Sequence, residues 1–294
     1  MSTFIIKGKE FSAGSVAPGL FIAATPIGNL ADITLRVLET LAGCDLIACE
    51  DTRVTRKLLN HYVISTKTIS YHEHNAEAAG RRIVEDLGNG KSVVLVSDAG
   101  TPVISDPGSR LVDLALDAGH PVWPLPGASA PLAGLVAANL PCETWCFAGF
   151  LPTKQGARKA RLQELSNLAA TLVFFESPNR VSKSLADMSA VLGPERQAVV
   201  ARELTKLHEE FSRGQLAGLS QEFVTRTVKG EVVILVGPPK EEEGSDPDTL
   251  LLELMREMPV SRAAAQASEL TGKPKRELYQ RALELKDQAD DNGK

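Results

Sequence analysis

No apolar run in this 294-residue chain approaches the ~20 residues that cross a bilayer. The N-terminal stretch MSTFIIKGKEFSAG carries Lys7 and Lys9 after only a few apolar residues, so it lacks the long apolar centre of a secretory signal. Cysteine is scarce. Cys44, Cys49, Cys142 and Cys146 match no common zinc spacing and read as buried free thiols of a reducing cytosol. These absences predict a soluble cytoplasmic protein. No G-x-G-x-x-G follows the first apolar strand, which disfavours the dinucleotide fold and the common methylase variant of it. Gly88-Asn89-Gly90-Lys91-Ser92 imitates a P-loop, but the first glycine of that frame falls at Glu85 and the stretch precedes a strand. H-E-x-x-H and the nucleophile elbow are missing. His72 and His74 lack a third ligand and read as a strand end or substrate loop, so no metal is expected.

Positive charge is also short. The net charge of −5 argues against a uniformly phosphate-binding surface. Its local distribution is uneven, however. Lys154, Arg158, Lys159 and Arg161 follow Phe150-Leu151-Pro152 without an intervening acid, on what reads as a loop suited to gripping phosphate. Lys273, Lys275, Arg276 and Arg281 form a second cluster, which reads equally as a solvated face or an RNA contact.

What is present is a hydrophobic fraction of 43% and enough length for two compact units plus an appendage. Short apolar strands (Leu20–Ala24, Asp45–Cys49, Ser92–Val96, Pro121–Leu125) alternate with amphipathic helices, predicting a mainly parallel sheet covered on both faces. Asp32 is expected to cap the first helix, and Ser105 or Asp106 a later one with Pro107 in its first turn. The pattern resumes with Leu172–Phe175, Ala198–Ala201 and Val232–Val236, and with helices near Ser177–Leu192 and Gln215–Thr227. The expected division is an extension over 1–18, an α/β domain over 19–125, and a second over 126–238. An acidic linker (239–248) and a small helical domain with a frayed tail (249–294) complete it.

In open α/β sheets ligands bind beyond the carboxyl ends of the strands. There the sequence places Thr25–Leu30, Glu50–Arg53, Ser97–Asp106 and Pro126–Ala130, all rich in small, polar, glycine or proline residues, which predicts a pocket.

At these segments the chain resembles a known family. Ala24-Thr25-Pro26-Ile27-Gly28-Asn29-Leu30, Cys49-Glu50-Asp51-Thr52-Arg53, His72-Glu73-His74-Asn75 and Ser97-Asp98-Ala99-Gly100-Thr101-Pro102 are similar to its signatures. So are Gly149-Phe150-Leu151-Pro152, Phe175-Glu176-Ser177-Pro178 and Ala201-Arg202-Glu203-Leu204-Thr205-Lys206. The family is that of the ribosomal RNA small subunit methyltransferase I proteins, a branch of the tetrapyrrole methylase superfamily. The resemblance runs from about Leu20 to Val236, and the terminal helices look like the family's helical appendage. It implies two α/β domains of the tetrapyrrole methylase type, S-adenosylmethionine as methyl donor, and a homodimer. It also implies 2′-O-methylation of a cytidine ribose in the decoding region of 16S rRNA in the 30S subunit. Carried over by position, Pro26, Gly28, Thr101, Val103, Ile104, Ser129 and Ala130 are the expected donor-binding residues. Many members have proline at Ala128 and histidine at Asn179, so no role falls to Asn179.

Transfer to a ribose hydroxyl calls for a base or a nearby cation. Glu50, Asp51 and Asp98 are the candidate bases; Arg53, Arg202 and Lys206 join the first basic cluster as candidate cations for phosphate or alkoxide. Two other readings stand beside this one. A small-molecule tetrapyrrole methylase shares the fold, and fold alone does not choose. A non-catalytic helix-turn-helix binder would need a dense basic face on the terminal module, where Glu253, Glu257, Glu269 and Glu277 are interspersed.

Overall fold

Two apolar faces alternate along the central strands of the computed structural model, which describes residues 2–240 and 247–291. The first of its two compact units, Met1–Pro238, contains both sheets. It opens with an antiparallel hairpin, β1 (Ser2–Ile6) and β2 (Lys9–Ala13), within the stretch expected only as an extension. Then follow β3 (Gly19–Ala23), α1 (Leu35–Gly43), β4 (Leu46–Cys49), α2 (Thr52–His61), β5 (Thr68–Ser70), α3 (Ala76–Gly88), β6 (Ser92–Val96), α4 (Ser109–Asp117) and β7 (Val122–Leu125). The sheet order is β5-β4-β6-β3-β7, parallel throughout, as the alternation of strand and helix predicts. Ile47, Val94 and Val96 face α1 and the hairpin's Phe4; Leu46, Val93 and Leu95 face α3 and α4. Each such side chain contributes about 1.5–3 kcal/mol when fully buried.

The second half continues with α5 (Ala130–Ala138), β8 (Trp145–Phe150), α6 (Gln155–Leu165), β9 (Thr171–Glu176), α7 (Val181–Leu192), β10 (Gln197–Arg202), β11 (Glu210–Gln215), α8 (Leu216–Thr225) and β12 (Val232–Val236). Its order is β11-β10-β12-β9-β8, with only β8 and β9 parallel. Here the parallel pattern fails because β10 and β11 are joined by a loop with no crossover helix, which brings the chain back antiparallel. Leu172, Phe174, Val200 and Ile234 pack under α6, α7 and α8, whereas Val173, Val199, Val233 and Leu235 pack under α5.

Several local expectations change. Thr34, not Asp32, caps α1, its hydroxyl accepting the Val37 N–H at 3.2 Å. Gly108 stands at the start of α4, so neither Ser105 nor Asp106 caps it and Pro107 lies before the first turn. Its φ of +144° and a phantom Cβ 2.8 Å from Leu95 Cδ2 leave no room for another residue. Residues 155–165 form a helix, so the basic cluster expected on a loop lies mostly on α6. Cys44 and Cys49 are buried and free, with burial pushing Cys44 up to about 12, while Cys142 is exposed.

The second unit, Pro239–Lys294, is a three-helix assembly of α9 (Pro247–Glu257), α10 (Val260–Thr271) and α11 (Lys275–Asp291). Leu251, Ala264, Ala267, Leu278, Ala282 and Leu285 form its core, and left-handed Gly272 closes α10. The linker expected over 239–248 ends by Pro247, where α9 begins; residues 241–246 lie outside the described residues. The tail expected to fray from Asp287 continues α11 to Asp291, with 292–294 outside the described residues. Among the described residues no helix is long and apolar enough to cross a membrane.

Candidate active site

Because β4, β6, β3 and β7 lie side by side and run the same way, they deliver segments 50–53, 97–106, 25–30 and 126–130 to one edge. An isolated bridge ties two of them, with Thr25 and Gly100 exchanging backbone hydrogen bonds of 2.8 and 3.1 Å. The loop after β6 is strained: Val103 and Ser105 take φ of 76° and 65°, which costs on the order of 1–3 kcal/mol each. Its Ser105 Oγ lies 3.4 Å from where a Cβ on Gly149 would stand, so the loop reaches across to the second half.

Between the halves is a cavity of about 410 Å³, within the size range of small-molecule sites. The first half lends it Thr101, Ile104 and Asp106; the start of α5 lends Ser129 and Ala130, and the rest of the second half Phe150, Phe175, Glu176, Leu204 and the start of β12. Thus four expected donor-binding residues line it. Pro26, Gly28 and Val103 do not stand on its wall. A Cβ at Gly28 would sit 2.5 Å from Lys206 Cγ and 3.0 Å from the Leu204 carbonyl. That glycine allows close contact with the 203–206 loop, reinforced by the Asn29 N–H donating to Thr205 Oγ1 at 3.0 Å. Its neighbour Ile27 does line the cavity, buried with Leu204 and Val233.

The three candidate bases separate. Asp51 caps α2 by accepting the Arg53 N–H at 2.8 Å, and its carboxylate pairs with the Arg53 guanidinium at 2.6 Å. Those bonds hold it down to about 2, too acidic to take a proton readily. Glu50 and Asp98 behave oppositely. Burial first, then the charges of Asp98 and Asp106, raise Glu50. Burial and the charge of Asp51 raise Asp98, although its Oδ1 accepts the Asp51 N–H at 3.1 Å. Asp106, expected at a helix cap, completes the cluster. Burial and Asp98 raise its carboxyl against a hydrogen bond from Ser97, and it stands on the cavity wall.

The cations separate too. Arg158 is buried and bound to Asp187 through Nε at 2.8 Å and Nη2 at 2.6 Å, so it is a structural group and not a surface phosphate ligand. Arg202 bonds Glu210 at 3.1 Å, and Lys206 bonds Glu203 at 2.9 Å and Glu231 at 3.2 Å. Both therefore brace the loop that carries Leu204 to the cavity. Arg53, Lys154, Lys159 and Arg161 remain exposed. The His72 and His74 rings lie 5.9 Å apart. Among the described residues no His, Cys, Asp and Glu group is placed to hold a metal.

Sequence reasoning missed Asp106, Phe150, Phe175, Glu176 and Leu204 as cavity residues. Four of these stand inside the quoted Gly149–Pro152, Phe175–Pro178 and Ala201–Lys206 motifs, which was the available signal. Asp106 ends the 97–106 segment already expected at the pocket, but an acid before a proline and a helix reads individually as a cap. The wall suits the donor that the resemblance implies. Apolar Ile27, Leu204 and Val233 and aromatic Phe175 can cover an adenine, carboxylates can face a sulfonium and an ammonium, and the free N–H groups opening α5 can meet a carboxylate.

Comparison with known proteins agrees with this arrangement. The family model described as Tetrapyrrole (Corrin/Porphyrin) Methylases matches residues 19–220, and one described as RsmI C-terminal HTH domain matches 241–286. A protein of Mesorhizobium japonicum named Ribosomal RNA small subunit methyltransferase I is 54% identical, covering 95% of this chain and 96% of that one. Proteins of the same name from Erythrobacter litoralis and Vibrio cholerae are 50% and 47% identical, covering 94% and 91% of this chain and 99% and 95% of theirs. Among solved structures, the methyltransferase CobJ superposes with a TM-score of 0.57 at 21% identity, covering 75% of this chain and 94% of that one. Uroporphyrin-III C-methyltransferase from Thermus thermophilus, solved with S-adenyl homocysteine, has a TM-score of 0.54 at 16% identity, covering 74% and 97%. These two likenesses establish the fold.

Proposed function

The chain belongs to the tetrapyrrole methylase family, in the branch of the ribosomal RNA small subunit methyltransferase I proteins, and from that premise we propose that it methylates the 2′-hydroxyl of a cytidine in the decoding region of 16S rRNA. On this reading it works as a homodimer on the 30S subunit in the bacterial cytoplasm. The observation that carries the proposal is its near-full-length match to proteins of that name, terminal helical module included.

S-adenosylmethionine is the methyl donor; it supplies an electrophilic methyl group on a sulfonium whose charge vanishes as the methyl leaves. The residues of this chain then have three tasks. Thr101, Ile104, Ser129 and Ala130 bound the donor's space and fix the line of attack, and such positioning supplies much of the catalysis. Asp106 accepts the proton from the ribose hydroxyl, helped by a proton affinity raised first by burial and then by the charge of Asp98. Asp98 acts through Asp106 by that charge. Arg53, Lys154, Lys159 and Arg161 are the exposed cations that can meet the RNA backbone, Arg53 and Arg161 by exchanging their surface partners Asp51 and Glu164, whereas Arg158, Arg202 and Lys206 are held within the fold.

Incubation with labelled donor and either small subunits or a porphyrinoid tests the reading, followed by mass spectrometry of the rRNA nucleosides. The expected product is 2′-O-methylcytidine. Label on the porphyrinoid instead would support the small-molecule alternative and remove the RNA assignment.

A further inference from the structure

Phe150 is the last residue of edge strand β8 and is 56% exposed, yet it stands on the cavity wall. Its ring rests on Phe175 at a centroid distance of 5.5 Å, and Phe175 rests in turn on Phe147 at 4.9 Å. A backed aromatic with an open face at the mouth of a cavity is a stacking surface lacking its second partner.

The segment that follows is held with unusual care for a connection. Arg180 Nη2 donates to the Leu151 and Pro152 carbonyls at 2.7 and 3.2 Å. Arg158 Nη1 donates to the Thr153 and Pro152 carbonyls at 3.0 and 3.3 Å. Each guanidinium is anchored by a buried carboxylate. Asp187 holds Arg158, and Glu176 lies 3.3 Å from Arg180 Nε in an ion-pair contact while accepting from the Ser177 N–H and the Ser184 hydroxyl. Buried Arg158 and partly buried Arg180 thus fix residues 151–153, with Phe150 at one end and exposed Lys154 at the other. The held segment therefore runs from an aromatic ring on the cavity wall to an exposed cation at its other end.

From this geometry we infer that Phe150 is the platform on which the base of the methylated nucleotide stacks, with Lys154 beside it to meet the strand's phosphate. The inference rests on the RNA reading above and names the subsite that reading needs. A nucleotide that turns out of its stack to bring its ribose hydroxyl into a cavity loses its stacked neighbours, and its base then needs a new aromatic partner. The donor's adenine has other neighbours deeper in the wall, at Ile27, Leu204 and Val233.

The test compares Phe150→Ala, Phe150→Tyr and the unaltered enzyme in methyl transfer to small subunits, with S-adenosylhomocysteine binding followed by calorimetry. Base–aromatic stacking predicts a loss of roughly 5- to 150-fold in kcat/KM for Phe150→Ala. Phe150→Tyr should stay within about threefold of the unaltered enzyme, and both variants should bind S-adenosylhomocysteine normally. Phe150→Leu, which keeps apolar bulk without a ring, should lose about as much as Phe150→Ala, and full rescue by leucine would overturn the platform by showing that the ring only fills space. Full turnover in Phe150→Ala overturns the platform while leaving the RNA reading intact. Parallel loss of S-adenosylhomocysteine affinity also overturns it, assigning the ring to the donor. If the unaltered enzyme transfers nothing to small-subunit RNA, the RNA reading fails and the platform with it.

Discussion

The two halves of the larger unit treat negative charge in opposite ways. In the second half, Asp187 and Glu176 are buried and each sits against an arginine, Arg158 and Arg180. In the first half, Glu50, Asp98 and Asp106 crowd one another at the strand ends, and among the described residues none has an ion pair. A paired carboxylate with every oxygen engaged is scaffolding that fixes loops, and at Asp187 burial is outweighed by hydrogen bonds from Gln155 and Arg158, which hold the carboxyl below its ordinary value. Carboxylates left to raise one another are destabilised as anions, and that is the condition of a group meant to take up a proton. The contrast points to the first half for chemistry and to the second for holding the chemistry in register.

Substitutions can break this contrast on either side. Asp106→Asn removes the proposed base and should lower kcat by about 10²- to 10⁴-fold, with S-adenosylhomocysteine affinity preserved in calorimetry. Its acid limb, raised above the ordinary carboxylate range by burial and Asp98, should vanish from the pH–rate profile. Unchanged turnover would transfer the role to Asp98 or Glu50. On the scaffolding side, Asp187→Ala strands a buried guanidinium and should cost about 3–5 kcal/mol in urea unfolding. A paired Arg158→Met, Asp187→Leu variant should recover much of that loss; if it does not, the pair contributes more than charge compensation.

Gly28→Ala probes the joint between the halves. The added methyl meets the Leu204 carbonyl as well as side chains, so about 1–3 kcal/mol of stability should go, together with donor affinity, since Leu204 lines the cavity. Asp98→Asn should produce the smallest change and the opposite sign. A carboxyl whose folded pKa is raised favours folding below its unfolded pKa, and that contribution is lost as pH rises through the folded value. The variant should therefore melt about a degree higher at neutral pH, and the gain should fade as pH falls below the ordinary aspartate range. A gain that persists in acid would show that repulsion is not its source.

Much of the first half was legible because parallel strands buried on both faces read as short apolar runs. Leu20, Ile47 and Val94 announce themselves without any partner in view. β11 did not, because its residues Glu210–Gln215 are only half-buried and their burial depends on β10 beside them. The helix over Gln155–Leu165 was hidden for a related reason. Its density of lysine and arginine suggests a loop until Asp187, distant in sequence, takes Arg158 inside.

Within the site, motif position pointed to Thr101, Ile104, Ser129 and Ala130, which stand on the cavity wall, whereas residue type pointed to Asp51, which caps α2, and read Asp106, on that wall, as a cap. Both aspartates precede helices, and capping preference is a local property that either satisfies on paper. Which one caps and which faces the cavity depends on Gly108 and on the strained turn before it.

The order of amino acids by itself determined the apolar periodicities, the family signatures and the set of loops gathered at one sheet edge, since each follows from neighbours within a few positions. Only the tertiary structure decided which charges neutralise one another and which are left to act. Coulomb energy depends on separation and burial in space, and residues 29 positions apart, such as Arg158 and Asp187, can be in contact while adjacent ones face different surroundings.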